Sequence, residues 1–242
     1  MVLYFGAWAQ HPNQPKGRVM KNNMRLKICT PVYDTVPQQL IEAIGKLKEA
    51  GIEYEWYRAG GPLIFKNRNE LVDKHGLSDF THVIMWDADI TATPAQVKQL
   101  IAHGQPVVGA AYKFRVKYLE HYVAGRGDKG YVHSSKTGLI QVPFVGMGLC
   151  AIEVGVFEQI KKPYFCHLMQ GDTQSAEDVG FCIKANEAGI PVLLDCDCEV
   201  QHGIQPQKKQ IPNVDGLLLD ANEALTKVAA TMTVLKRMIT NG

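Results

Sequence analysis

Residues 81–89 read THVIMWDAD, an apolar run that ends in two aspartates. The run from Val83 to Trp86 is apolar at consecutive positions, as in a strand that is buried on both faces of a parallel sheet. Asp87 and Asp89 follow at a spacing of two, so in an extended chain their side chains point to the same side. Two carboxylates held together there repel each other, and a divalent cation relieves the repulsion. The stretch therefore predicts either a Mg²⁺ or Mn²⁺ site or, more simply, a strand end with two solvated acids.

Strand patterns alternate with helix patterns on both sides of this stretch. Strands are predicted at 26–30, 52–57, 81–86 and 106–112, and helices at 37–50, 66–75, 94–103 and 175–188. Such alternation predicts an α/β fold with a mostly parallel sheet flanked by helices. Residues 115–140 have no sustained period, which indicates a loop or a small hairpin inserted into that fold.

Composition restricts the class of protein. The 242 residues suit one large domain or one domain with an extension. No apolar run reaches the roughly 18 residues of a membrane span, and a net charge of +2 does not by itself indicate nucleic-acid binding. Most of the six cysteines lie in apolar strand or helix patterns, which predicts reduced thiols and a cytoplasmic location.

Three parts of the chain are expected from these patterns. Residues 1–23 form an N-terminal arm without the features of a signal peptide, and the sequence leaves open whether they are a flexible arm, an upstream start or an edge that packs on a neighbour. Residues 24–212 form the main domain, and residues 213–242 contain one amphipathic helix at 220–238. The apolar stripe of that helix packs either on its own domain or on a second copy, which would make a homodimer.

Further polar residues in three places add to the aspartate pair. Glu177 and Asp178 open a predicted helix, where the helix dipole also favours acidic residues for purely structural reasons. His202 lies just past a strand end, and an ordinary surface histidine is the simple alternative there. Lys113, Arg115 and Lys117 follow the strand after the aspartate pair, and they either contact a phosphate or another substrate or form a solvated loop.

The order of these motifs resembles that of the GT-A glycosyltransferases, especially the small single-domain members near glycosyltransferase family 2, many of which are carried by phages. The matching motifs around the Asp-x-Asp strand are TPVYD at 30–34, RN at 68–69, GMG at 146–148, AEDVGF at 176–181 and HG at 202–203. The resemblance covers residues 24 to about 205. It implies a GT-A fold, a Rossmann-like sheet that binds a nucleotide sugar together with Mn²⁺ or Mg²⁺.

The resemblance also implies how the donor is held. Pro31, Tyr33 and Asp34 would hold the base and ribose, and Arg68 and Asn69 would face the nucleotide, with Arg68 reaching phosphate or Asp87. The residues that would line the sugar, with small side chains allowing close approach of the backbone, are Gly146, Met147 and Gly148.

The metal and catalytic roles follow from the same resemblance. Asp87 would contact the ribose or the water shell of the metal, Asp89 would bind the metal directly, and His202 would be the third protein ligand. Asp178 would be the general base and Glu177 would orient the acceptor or donor. One base opposite a metal-bound leaving group predicts inversion. If Glu177 faces the sugar the base moves by one residue, and if neither does, a retaining mechanism or an inactive protein follows.

The resemblance therefore implies a hexosyltransferase-like enzyme, with a UDP-sugar named as donor on analogy alone. A glycan, a protein and a hydroxymethylated DNA base are all open as acceptors, and a DNA base would have to be exposed or flipped. A non-catalytic nucleotide- or sugar-binding module is the alternative, although it would need no base. A nucleotidyltransferase is disfavoured, because the turn at 30–34 lacks a Gly-rich loop with Lys or Arg.

Overall fold

The computed structural model of the protein describes residues 24–115, 119–125 and 130–203. In chain order its elements are β1 (Arg25–Val32), α1 (Gln38–Glu49), β2 (Glu53–Gly60), α2 (Ile64–Asp73), β3 (His82–Trp86), β4 (Ile90–Thr91), α3 (Pro94–Ala102), β5 (Val107–Ala111), β6 (His121–Gly125), β7 (Tyr131–His133), β8 (Leu139–Gln141), β9 (Phe144–Val145), β10 (Leu149–Glu153), α4 (Val156–Gln159), β11 (Met169–Gln170), β12 (Thr173–Gln174), α5 (Glu177–Glu187), β13 (Val192–Glu199) and β14 (Gln201–His202).

A seven-stranded sheet has the strand order β2-β1-β3-β10-β5-β13-β8. Strand β1 pairs in parallel with β2 and β3, and β13 pairs in parallel with β5. Strand β10 runs antiparallel between β3 and β5, and β8 is antiparallel to β13. The prediction of an α/β fold with a mostly parallel, Rossmann-like sheet flanked by helices is confirmed.

Helices cover both faces of the sheet because each buried strand supplies apolar residues to both sides. In β3, Val83 and Met85 belong to one hydrophobic cluster, which also contains residues of α2 and α5. Ile84 and Trp86 belong to a second cluster with residues of α1 and α3. All of these β3 side chains are fully buried. The consecutive apolar run that marks this strand is thus explained by burial on two faces.

Strand β1 continues through Pro31 to Val32, beyond its predicted end at residue 30. Proline lacks the N–H that a central strand needs on its hydrogen-bonded side. Pairing of β1 with β3 stops at Cys29, so this side of the strand has no partner at Pro31. The next residue faces the other way, since the Val32 carbonyl accepts from the Gly61 N–H at 3.1 Å. The proline therefore costs no ladder hydrogen bond.

The inserted segment after β5 contains the hairpin that was one of its two predicted forms. Strands β6 and β7 pair antiparallel, and β6 also pairs with β9 to make a three-stranded sheet. None of the helices in the described ranges has the length and apolar content to cross a membrane. The predicted arm at 1–23 and the helix at 220–238 lie outside the described residues, so the division into three parts and the homodimer stay predictions.

Substitution of Gly180 in α5 tests how closely that helix packs against the segment that contains Cys166. A Cβ at position 180 would overlap the carbonyl oxygen of Cys166, whereas a Cβ at Gly45 in α1 would meet nothing within 4 Å. We expect Gly180→Ala to lower the free energy of unfolding by about 1–3 kcal/mol through overpacking. Gly45→Ala, as matched control, should raise it by about 0.5–1 kcal/mol, because alanine favours a helix interior. Urea unfolding measures both, and equal stabilities would contradict this packing.

Candidate active site at the carboxyl edge of the sheet

A buried arginine joins three of the predicted site elements. Arg68 on α2 is 2% exposed, and its Nη2 donates to Oδ1 and Oδ2 of Asp87 at 2.8 and 2.9 Å. Its Nη1 donates to Oε1 of Glu177. Asp87 directly follows β3 and Glu177 begins α5, so one guanidinium connects two helices to the end of a central strand. Ligands bind at this carboxyl end of the strands in open α/β sheets.

The charge of Arg68 is held firmly by its partners. Burial alone would lower its pKa, but the neighbouring carboxylates of Asp87 and Glu177 outweigh that effect and raise the pKa above its usual range. The guanidinium is therefore always ionised and acts as a fixed positive charge beside the carboxylates. Of the two contacts expected for Arg68, phosphate or Asp87, the structure contains the hydrogen bonds to Asp87, and contact with a nucleotide stays a prediction.

Asp178 lies beside this cluster, close enough for the Arg68 charge to act on its carboxyl group. Its Oδ1 accepts from the N–H of Val179 at 2.8 Å, and its side chain is half-buried. Burial raises the pKa of Asp178 to about 6, against the opposing effect of the Arg68 charge. The carboxylate is thus ionised at neutral pH and is a stronger base than an exposed aspartate.

Asp89 and His202 are brought together by a two-stranded pairing. Strands β4 and β14 are antiparallel with Ile90 opposite His202, and the Gly203 N–H donates to the Asp89 carbonyl at 2.6 Å. The Nε2 of His202 lies 3.6 Å from Oδ2 of Asp89. A side chain at Gly203 would place its Cβ 3.0 Å from the same carbonyl oxygen, so this close approach needs a glycine or a shift of the backbone. The close packing against the Asp89 carbonyl therefore explains why a glycine follows His202 in the HG motif.

The imidazole of His202 is oriented as a ligand would be. Its Nδ1 lies 3.1 Å from the carbonyl oxygen of Lys113, which can only accept, so Nδ1 carries the proton and Nε2 offers a lone pair. The ring also packs edge-on against Tyr112, with centroids 5.2 Å apart. Burial lowers the pKa of His202, which keeps the ring neutral.

These donor groups fit a divalent cation only in part. A carboxylate oxygen of Asp89 and the neutral nitrogen of His202 are suitable ligands for Mn²⁺. Both oxygens of Asp87 are bound to Arg68, and in the described ranges no group of three or more His, Cys, Asp or Glu side chains is arranged to hold a metal ion. Two of the three predicted ligands are adjacent, and further ligands would have to come from substrate or water. The metal stays a prediction.

The residues predicted to contact the nucleotide differ in their surroundings. Tyr33 is 66% exposed and Asp34 is exposed, just beyond the end of β1, whereas Pro31 is buried inside that strand. The side-chain amide of Asn69 forms hydrogen bonds inside the protein: its Nδ2 donates to the carbonyls of Phe65 and Phe165 at 2.7 Å each. Its oxygen accepts from the Phe165 N–H at 3.1 Å. Asn69 thus ties α2 to the segment before α5, a structural task that the motif alone did not indicate.

Tyr112 is a residue of this region that the sequence reasoning missed. Its hydroxyl accepts from the N–H of Gly148 at 3.0 Å, and its ring fills the space that a Cβ at Gly146 or Gly148 would need. Met147 between them lies in the hydrophobic core. The two glycines therefore leave room for the Tyr112 ring. Their contact with a sugar stays a prediction. The available signal was an aromatic residue at the end of a buried strand, next to Lys113 and Arg115.

Replacing the carboxylate of Asp178 should stabilise the protein at high pH. Because its pKa in the folded protein is raised from 3.8 to about 6, the stability of the wild type declines as the pH rises from about 4 through 6. We expect Asp178→Asn to raise the free energy of unfolding at pH 8 by about 1–3 kcal/mol and to have little effect at pH 4. Urea unfolding at both pH values measures this, with the exposed Asp172→Asn as control. An unchanged pH dependence in Asp178→Asn would contradict the burial of this charge.

The fold is similar to that of a solved structure, A197 from STIV. The two share 22% sequence identity, with a TM-score of 0.50, and the match covers 71% of this chain and 81% of that chain. At this identity the likeness concerns the fold alone, and it supports the Rossmann-like α/β architecture. Neither a protein-family model nor a curated protein matches the sequence.

Proposed function

We propose that this protein is a metal-dependent glycosyltransferase of the GT-A type, which moves a sugar from a UDP-sugar to an acceptor hydroxyl with inversion. The proposal rests on one observation: polar residues far apart in the chain meet at the carboxyl edge of the sheet. Arg68 joins Asp87 to Glu177, and His202 lies against Asp89. A fold that needed only stability would gain little from so many carboxylates at one edge.

The charge at this edge favours a cation and a phosphate group together. Four carboxylates, those of Asp87, Asp89, Glu177 and Asp178, are near two guanidinium groups, those of Arg68 and Arg115. The excess of negative charge would repel the diphosphate of a nucleotide sugar unless a cation lay between them. Asp89 and His202 would hold that cation, which supplies positive charge for the leaving diphosphate when bound.

Asp178 is the residue that we assign as general base. Glu177 is bound to Arg68, whereas Asp178 has a raised pKa and accepts a hydrogen bond from the Val179 N–H. In the proposed reaction the acceptor hydroxyl attacks the anomeric carbon and its proton passes to the Asp178 carboxylate, while the bond to the nucleoside diphosphate breaks. One base with no second carboxylate acting as nucleophile corresponds to direct displacement with inversion.

The fixed charge of Arg68 would keep this arrangement in place during the reaction. It holds Asp87 against β3 and the first turn of α5 against α2, so Asp178 keeps its position relative to Asp89. Small displacements of a catalytic group reduce the rate strongly. Arg68 is therefore a positioning residue in this proposal, and Tyr33 and Asp34 are the residues we propose for the base and ribose.

Slow hydrolysis of the donor tests the proposal without knowledge of the acceptor. We expect the wild type to release nucleoside diphosphate from one member of a nucleotide-sugar panel with Mn²⁺ or Mg²⁺ and not with chelator. Asp89→Asn should lower that rate by about 100-fold or more, because a main stabiliser of the leaving group is lost. Asp79→Asn, an exposed position before the start of β3, is the matched control and should retain the rate.

Two results would count against it. Release that is the same with chelator would remove the metal from the mechanism. No release from any donor, together with no metal-dependent nucleotide binding, would favour a non-catalytic binding module with the same fold.

The pH dependence of donor hydrolysis tests the base. Since only ionised Asp178 accepts a proton and its pKa is about 6, the rate should rise about tenfold per pH unit below pH 6 and level off above it. Asp178→Asn should lower the plateau by about 10²–10⁴-fold and remove the rise. The exposed Asp172→Asn serves as control. A rise that persists unchanged in Asp178→Asn would assign the base elsewhere.

A further inference from the structure

Arg115 contacts both residues that we assign to the cation. Its Nη2 forms an ion pair with Oδ2 of Asp89, and its Nε donates to Nε2 of His202 at 3.2 Å. Oδ2 of Asp89 and Nε2 of His202 are themselves 3.6 Å apart. One guanidinium therefore bridges the same two atoms that would bind a divalent cation.

The geometry of the pair suits either occupant. Two ligand atoms that share an ion at about 2.1 Å each lie about 3–3.6 Å apart, depending on the angle between them. The separation of 3.6 Å between Asp89 and His202 is at the upper end of that span. The lone pair of His202 Nε2 is fixed in direction by the Lys113 carbonyl, and at present it accepts from Arg115. A lone pair that accepts from an N–H group does not also bind a metal.

Arg115 is the most exposed of the three side chains. Arg115 is 43% exposed, while Asp89 and His202 are 18% and 22% exposed and are held by the β4–β14 pairing. The ligand pair is thus part of the folded scaffold, whereas the guanidinium reaches it from the solvent side. A displaced guanidinium needs another anion, and a diphosphate offers the bidentate oxygens that arginine prefers.

We propose that Arg115 is an internal counter-cation that occupies the divalent-cation position and makes metal binding depend on the presence of a diphosphate. Without nucleotide, the guanidinium and the metal compete for Asp89 and His202. With nucleotide, Arg115 transfers its contact to the diphosphate, and the ligand pair becomes free for the metal. This inference rests on the proposed function, since it concerns the cation of the same site.

Binding of Mn²⁺ tests this coupling directly, with free Mn²⁺ measured by electron paramagnetic resonance at constant ionic strength. Wild type, Arg115→Gln, Arg115→Lys and Asp89→Asn are titrated with and without UDP. We expect Arg115→Gln to bind Mn²⁺ at least tenfold more tightly than the wild type without UDP, and Arg115→Lys to lie between them. Addition of UDP should tighten binding in the wild type much more than in Arg115→Gln. Asp89→Asn should bind weakly throughout.

A matched control separates the local contact from a general effect of charge. Lys48→Gln removes one exposed positive charge from α1, and it should leave the Mn²⁺ affinity of the wild type unchanged. Binding of Mn²⁺ by the wild type with UDP, but with equal or weaker affinity in Arg115→Gln, would overturn the inference and leave the proposed function standing. Failure of every variant to bind Mn²⁺, with or without UDP, would overturn both.

Discussion

The ion pairs of Arg68 with Asp87 and Glu177 are the constraint on which the rest of the site depends. They bury one positive charge between two negative ones, at a place where any of the three alone would be costly. Because the partners come from α2, the end of β3 and the start of α5, the same contacts that satisfy the charges also fix the helices relative to the sheet. Stability and positioning of the site are therefore inseparable here.

A second constraint acts on the other aspartate. Asp89 follows Asp87 by two residues, yet its environment is set by β14 and by the segment after β5. The Lys113 carbonyl orients His202, and the Asp89 carbonyl accepts from the Gly203 N–H. The two aspartates of one short motif thus have different partners: Asp87 is bound by the buried guanidinium of Arg68, and Asp89 lies beside His202 and Arg115 nearer the solvent. The spacing of two residues in the sequence does not indicate that Asp87 and Asp89 have different partners.

Local patterns predicted the elements well and their arrangement less well. The start of α3 could be predicted from the sequence, because Thr93 and Gln96 form a capping box and Pro94 follows the cap. The run before Asp87 was readable because burial on two faces leaves a consecutive apolar pattern. The antiparallel direction of β10 could not be predicted from the sequence, since a hydrophobic pattern is the same for parallel and antiparallel strands. The structural use of Asn69, the ring of Tyr112 against Gly148 and the contact of Arg115 with Asp89 all depend on distant segments, so a local pattern cannot indicate them.

The position of β10 between β3 and β5 has a consequence for the order in which the chain assembles. Strands β3 and β5 are close in sequence, but each pairs with β10 (Leu149–Glu153) and not with the other. During synthesis the ribosome must therefore release these residues before the centre of the sheet can close, and His202 follows later still. A nascent chain that stops short of β14 has both aspartates and no imidazole beside them. The Asp89–His202 pair therefore forms only when β14 pairs with β4, after all the other described strands have been synthesised.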